Sequence, residues 1–211
     1  MELNYIVIEG NIGAGKTSLA KRISEDFNGK LILERFADNP FLPKFYKDPE
    51  RYSFPLELSF LADRYNQLKR ELSDRDLFKS FTIADYYFMK SLIFARATLS
   101  DDEYNLYRQI FEIIYSTLPK PDLFVYLHVD PDNLLMNIKN RGREYEQNIN
   151  RKYLESIQNG YFEFFKQHPE LTFLVIDTNN IDFMSNPDDY REVVQTLFHN
   201  EYTTGLNRVI L

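Results

Sequence analysis

The eight residues GNIGAGKT at positions 10–17 have the spacing of a loop that cradles phosphate: a glycine, four residues, then Gly-Lys-Thr. Glycine lets backbone N–H groups turn inward and approach phosphate oxygens closely, and a helix that starts here adds the positive end of its dipole. The segment from Gly10 through Asn11, Ile12, Gly13, Ala14 and Gly15 to Lys16, Thr17 and Ser18 is therefore expected to hold the phosphates of a nucleotide. Lys16 would reach the β- and γ-phosphates, and the Thr17 hydroxyl would meet magnesium.

Chemistry on that phosphate needs a proton acceptor and further positive charge. Ligands gather at the carboxyl ends of parallel strands, and two carboxylates fall there: Glu34, closing KLILE, and Asp85, closing SFTIAD. Either could take a proton from an attacking hydroxyl or hold magnesium; the plainer alternatives are a helix N-cap or a surface ion pair. Asp122 begins its strand and so falls at the opposite edge of the sheet. In NRGREYEQNI, Arg141 and Arg143 flank Gly142 after a predicted helix. Guanidinium groups on such a loop could close over a transferring phosphoryl group, or simply complement the helix dipole; the phosphate loop favours the first reading.

These residues need a scaffold. Short β-rich runs, NYIVIE, KLILE, SFTIAD, DLFVYLHV and TFLVID, alternate with helical stretches, the first from about Lys16 to Phe27. That alternation predicts an α/β fold of parallel strands with helical crossovers. Further along, Phe54, Leu58, Leu61, Tyr65, Leu68 and Leu72 step by three and four and form one apolar stripe. Glu57 and Arg64 flank that stripe on one face, roughly 10 Å apart along the axis. Periodicity alone leaves two readings for them: stems packed on the core with their heads in water, or a binding pair.

With 211 residues, 44% of them hydrophobic, the chain is expected to form a single domain over 1–211. A formal net charge of -7 argues against a nucleic-acid polymer as partner, so any nucleotide is small. The absence of cysteine excludes disulfides and thiolate metal sites, and no segment reads as a signal peptide or a membrane span, which makes the cytoplasm the expected setting.

IEGNIGAGKTSLA, DNPFLPKFYKDPERYSFPLELSFLADRY, TIADYYFMKSLIFA, LPKPDLFVYL and RGREYEQNI, taken in order, resemble the bacterial deoxyribonucleoside kinases, and most closely the deoxyguanosine kinase branch. The resemblance implies a five-stranded parallel sheet wrapped by helices, usually in a homodimer. It implies transfer of the γ-phosphate of ATP, with Mg2+, to the 5'-hydroxyl of a deoxynucleoside in nucleotide salvage. By similarity Glu34 matches the carboxylate that deprotonates the 5'-hydroxyl, Tyr46 and Glu146 match residues that hold the 3'-hydroxyl, and Arg141 and Arg143 match arginines of a lid at about 140–148. The tail at about 201–211 has no assigned role.

The chain also departs from that pattern. Many relatives have an acidic residue followed by Arg-Ser at the end of the third strand, where Ala84-Asp85-Tyr86 stands here, so an arginine is missing and the role of Asp85 is open. Tryptophan is common in relatives near Phe36 and at Tyr52. The base-reading Gln of many relatives is Glu57, with Arg64 nearby and Lys90 where an Asp often stands. An ionised carboxylate only accepts, so Glu57 matches the adjacent N1–H and N2–H of guanine, with O6 left for Arg64 or Lys90. Adenine presents an acceptor at N1 and is expected to bind less well. Deoxyguanosine is therefore the expected substrate, with deoxyadenosine or a broader range as the alternative. A nucleoside monophosphate kinase would need extra cations for its acceptor. A guanine-nucleotide switch would carry Asn-Lys-x-Asp, which is absent; a non-catalytic nucleotide-binding module is the remaining reading.

Overall fold

The structure is a computed structural model and describes residues 3–35, 39–73 and 76–211; Phe36 lies outside the described residues. The five apolar runs become β1 (Tyr5–Gly10), β2 (Lys30–Ile32), β3 (Thr82–Ala84), β4 (Leu123–His128) and β5 (Thr172–Asp177). A sixth strand, β6 (Gly205–Ile210), follows, and all pair in parallel in the order β2-β3-β1-β4-β5-β6. The expected five-stranded sheet thus has six strands, and the tail is its edge. Its sequence hides this because Leu206 and Ile210 face outward and half of the strand is uncovered, leaving no continuous apolar run.

Parallel neighbours need a crossover between them, and the helices supply it. They are α1 (Lys16–Asp26), α2 (Leu42–Lys47), α3 (Pro49–Ser73), α4 (Met89–Thr98), α5 (Asp101–Tyr115), α6 (Pro131–Arg141), α7 (Arg151–Gln167) and α8 (Pro187–His199). Proline opens α3, α6 and α8, where its missing N–H costs nothing and its fixed φ suits the first turn. Ser100 and Glu103 form a capping box on α5.

Side chains alternate across each central strand. Val7, Phe124, Tyr126, Phe173 and Val175 enter one apolar cluster with α3, α4, α5 and α7. Ile6, Ile8, Val125, Leu127, Leu174 and Ile176 enter the other, with α1, α6 and α8. The predicted stripe of α3 lies on the first cluster, Leu61 and Leu68 fully buried and the other four half-buried against it. After β1 the chain crosses to β2 on one side of the sheet and returns to β4 on the other, so the carboxyl end of β1 opens where strand order reverses. Ligands of open α/β sheets bind at such a point.

Candidate active site

The phosphate loop sits at that opening. Gly10 ends β1 at φ 151°, and a Cβ there would lie 2.9 Å from the Leu127 carbonyl oxygen of the neighbouring strand. Gly13 turns the loop at φ 86°, with the Leu134 carbonyl 3.0 Å from where its Cβ would be. Both positions demand glycine. No side chain caps α1, so its first N–H groups remain for an anion. The Asn11 amide donates to the Leu154 carbonyl at 2.7 Å, its oxygen accepts from Ile12 N at 2.9 Å, and the Asn137 amide donates to the Gly13 carbonyl at 3.0 Å. The loop is therefore fastened to both helices that flank Arg143. Lys16 Nζ donates to the Asn11 carbonyl at 2.7 Å. Burial and the like charge of Lys90 lower Lys16 to about 8, against the pull of Glu9, Asp85 and Glu34.

Asp85 follows β3 and is 3% exposed, so it is neither a surface ion pair nor the cap of α4, which starts after Phe88. Its Oδ2 accepts from the Thr17 hydroxyl at 2.5 Å and its Oδ1 from Glu34 N at 2.8 Å. One carboxylate thus links the threonine of the phosphate loop to the segment that carries Glu34.

Glu34 lies two residues past β2. Arg64 reaches it through Nε at 2.8 Å and Nη2 at 2.7 Å, and Lys90 Nζ stands 2.5 Å from its other oxygen. Burial alone would raise this carboxyl, but Lys90 and Arg64 bring it down to about 2. Arg64 Nη1 also donates to Ser91 Oγ at 2.8 Å. Arg64 is 4% exposed and Glu57 2%, which overturns the solvated reading of that pair. It also changes the partners expected of Arg64 and Lys90: both belong first to Glu34. Glu57 Oε1 accepts from the Thr98 hydroxyl at 3.0 Å, while Oε2 is buried with no hydrogen-bond partner among the described residues.

Arg141 ends α6, Gly142 takes the left-handed conformation at φ 72°, and Arg143 leads into a 3-10 turn over Glu144–Glu146. Glu146, 5% exposed, accepts from Arg141 and, at 3.1 Å, from Arg143. Tyr145 stacks on Tyr46 of α2 with ring centroids 5.8 Å apart. A single cleft is bordered by Lys16 and Thr17 and by every side chain nominated outside the loop: Glu34, Tyr46, Glu57, Arg64, Asp85, Lys90, Arg141, Arg143 and Glu146. The lining combines the cations Lys16, Arg64, Lys90, Arg141 and Arg143 with the apolar side chains of Phe45, Leu56, Phe60 and Phe94. The family profile described as deoxynucleoside kinase matches residues 6–201.

The chain belongs to the deoxynucleoside kinase family. It is 41% identical over 194 residues to deoxyguanosine kinase of Bacillus subtilis (strain 168), a match covering 90% of this chain and 93% of that protein. Deoxyadenosine/deoxycytidine kinase of the same organism is 29% identical over 203 residues, covering 92% and 91%. Among solved structures, deoxyadenosine kinase from M. mycoides with bound dATP matches with a TM-score of 0.78 at 26% identity, over 92% of this chain and 98% of that one. The same enzyme with products dCMP and a flexible dCDP gives 0.80 at 26% identity, over 93% and 100%. This deoxynucleoside kinase is thus a phosphotransferase that acts on deoxynucleosides.

Two features of the kinase escaped the sequence. Glu9, fully buried in β1, accepts from Tyr87 N and from the Tyr161 hydroxyl, both at 2.7 Å, and burial raises it to about 7. An acidic residue inside an apolar strand, one position before the loop, was the available signal. The apolar wall was missed because Phe60 lies outside the stripe read on α3 and no pattern was read across Phe94. The donor set suits magnesium, which takes one or two carboxylates and a hydroxyl and leaves other positions to water and phosphate oxygens. Thr17 and Asp85 supply that set, and no cluster of three or more His, Asp or Glu that would build an all-protein cage occurs among the described residues. No helix among the described residues is long and apolar enough to cross a membrane.

Proposed function

We propose that this kinase transfers the γ-phosphate of ATP to the 5'-hydroxyl of a purine deoxynucleoside, with deoxyguanosine ahead of deoxyadenosine. The observation that carries the reading is Glu34: an ionised, buried carboxylate held between Arg64 and Lys90 in the cleft that Lys16 and Thr17 of the phosphate loop also line. A carboxyl lowered to about 2 is a weak base. Phosphoryl transfer tolerates that, because its loose transition state asks for orientation of the hydroxyl and late release of its proton. Glu34 accordingly accepts the hydrogen bond of the 5'-hydroxyl, aims the oxygen at the phosphorus and receives the proton as the bond forms.

Around that step, the N–H groups of the loop at 10–18 and Lys16 hold the phosphates. Thr17 and Asp85 would hold Mg2+, which would supply positive charge against the phosphates there. Arg141 and Arg143, on a lid at about 140–148, turn from Glu146 toward the phosphoryl group, while Tyr46 and Glu146 take the 3'-hydroxyl; these last roles rest on the resemblance. Glu57 faces the base, and similarity to deoxyguanosine kinase supports guanine. The 33% identity to deoxyadenosine kinase of Dictyostelium discoideum keeps adenine as the second reading. A homodimer on the same resemblance, with the single domain over 1–211 and the cytoplasmic setting read from the sequence, completes the proposal. A phosphorylation assay with ATP and magnesium against deoxyguanosine, deoxyadenosine, deoxycytidine and thymidine tests it: deoxyguanosine should dominate, and preference for a pyrimidine would contradict it.

A further inference from the structure

The Glu57 carboxyl group makes no ion pair among the described residues and keeps one oxygen unbonded. Glu57 lines the cleft and its Oε2 is buried with no hydrogen-bond partner among the described residues, so a ligand or a proton must satisfy it. The two cations that could fix it as a carboxylate are engaged elsewhere: Arg64 spends Nε and Nη2 on Glu34 and Nη1 on Ser91, and Lys90 stands on Glu34. A proton on Oε2 would break no bond within the protein, because Thr98 donates to the other oxygen at 3.0 Å in either state.

We infer that Glu57 reads the base according to its own protonation: as a carboxylate it selects guanine, and as a carboxylic acid it selects adenine. The inference rests on the proposal that Glu57 faces the base. Ionised, its two oxygens accept from guanine N1–H and N2–H. Protonated at Oε2, the same group donates to adenine N1 and accepts from the N6 amino group at Oε1, so one side chain matches both edges. In each state the wrong purine leaves a buried donor against a donor or an acceptor against an acceptor.

The surroundings allow the carboxyl to change state near neutrality. Burial pushes it up to about 7, with Arg64 and Thr98 restraining the rise. The phenols, Glu34 and Arg64 that act on it keep their charge state there. Tyr46 of α2, Tyr107 of α5 and Tyr153 of α7 are phenols raised far above neutrality by burial, Glu34 lies at about 2, and Arg64 stays protonated. Lys90 of α4 is the remaining cation. Glu9 and Lys16 also lie near neutrality, Glu9 bonded to Tyr87 N and the Tyr161 hydroxyl and Lys16 within the phosphate loop. Their effect is common to both nucleosides and cancels in a ratio.

The test is the ratio of kcat/KM for deoxyguanosine over deoxyadenosine, measured with both nucleosides in one reaction from about pH 6 to about pH 8.5, on the wild type and on Glu57→Gln. The wild-type ratio should fall at least about tenfold toward the acid end. Glu57→Gln should favour guanine less and show a ratio independent of pH. A flat wild-type ratio beside a shifted Glu57→Gln ratio overturns the protonation reading and leaves Glu57 as the base reader. A Glu57→Gln ratio equal to that of the wild type at every pH sinks the base reading itself. A ratio that falls equally in both assigns the proton to another group and overturns the inference. Calorimetry on the wild type, in buffers of different ionisation enthalpy near neutrality, gives an independent answer. Deoxyguanosine binding should release protons and deoxyadenosine binding should take them up; equal proton counts overturn the inference.

Discussion

The Thr17 hydroxyl donates to the Asp85 carboxylate at 2.5 Å across 68 residues of sequence. Because Asp85 also accepts from Glu34 N at 2.8 Å, the proposed metal position and the proposed base share one support. Asp85→Asn keeps the shape but weakens the hard oxygen set that magnesium prefers. The magnesium concentration for half-maximal turnover should rise about tenfold or more. A magnesium titration of the rate checks this, and an unchanged midpoint removes Asp85 from the metal site.

Glu34 also links stability to pH. Its folded value lies below the ordinary 4.5, at about 2, so the stabilisation it contributes is complete above about pH 4.5 and is lost as pH falls toward 2. Glu34 is 8% exposed, so solvent screens the pair little, and the contribution is about 3 kcal/mol near neutral pH. Glu34→Gln, which leaves Arg64 and Lys90 as buried cations without a carboxylate, should unfold at lower urea concentration at pH 7. The gap to the wild type should close as acid is added through that window. A gap independent of pH would show that the ion pairs are not its source.

What the sequence could reveal follows from how local each feature is. Gly10, Gly13, Lys16 and Thr17 were legible because loop, strand and helix are contiguous, and Arg141 and Arg143 because Gly142 separates them at a helix end. The clamp on Glu34 was not, since Arg64 and Lys90 lie 30 and 56 residues away and meet it only when α3 and α4 pack across the cleft. Periodicity put Arg64 at the margin of a buried stripe, and only the presence of Glu34 makes its burial affordable. The strand β6 stayed hidden for the opposite reason: it is too exposed to carry an apolar signature.

Gly13→Ala should damage the phosphate end of the cleft alone. A side chain at φ 86° is strained, and the Leu134 carbonyl stands 3.0 Å from the added carbon. The loop must shift by a few tenths of an ångström, enough to misalign its N–H donors. ATP affinity should fall about tenfold or more, a strain of roughly 1 to 3 kcal/mol, while deoxynucleoside binding stays within about twofold. Equal losses for both ligands in a binding titration would mean a general fold defect.

Tyr46→Phe separates ring from hydroxyl. The ring stacks on Tyr145 and should keep doing so, whereas the hydroxyl assigned to the sugar is removed. KM for the deoxynucleoside should rise by roughly fivefold to tenfold, the worth of one hydrogen bond, with KM for ATP unchanged. A 3'-deoxy analogue should then bind wild type and variant alike; an unequal effect would detach Tyr46 from the 3'-hydroxyl.

The most direct measurement is turnover of deoxyguanosine by Glu34→Gln at saturating ATP and magnesium, paired with ATP affinity of the same protein. If Glu34 receives the 5'-hydroxyl proton and aims the oxygen, kcat falls by about a hundredfold to ten-thousandfold with ATP affinity intact. Turnover near that of the wild type, with a folded protein and normal ATP binding, would contradict the account and move the proton acceptor to another carboxylate.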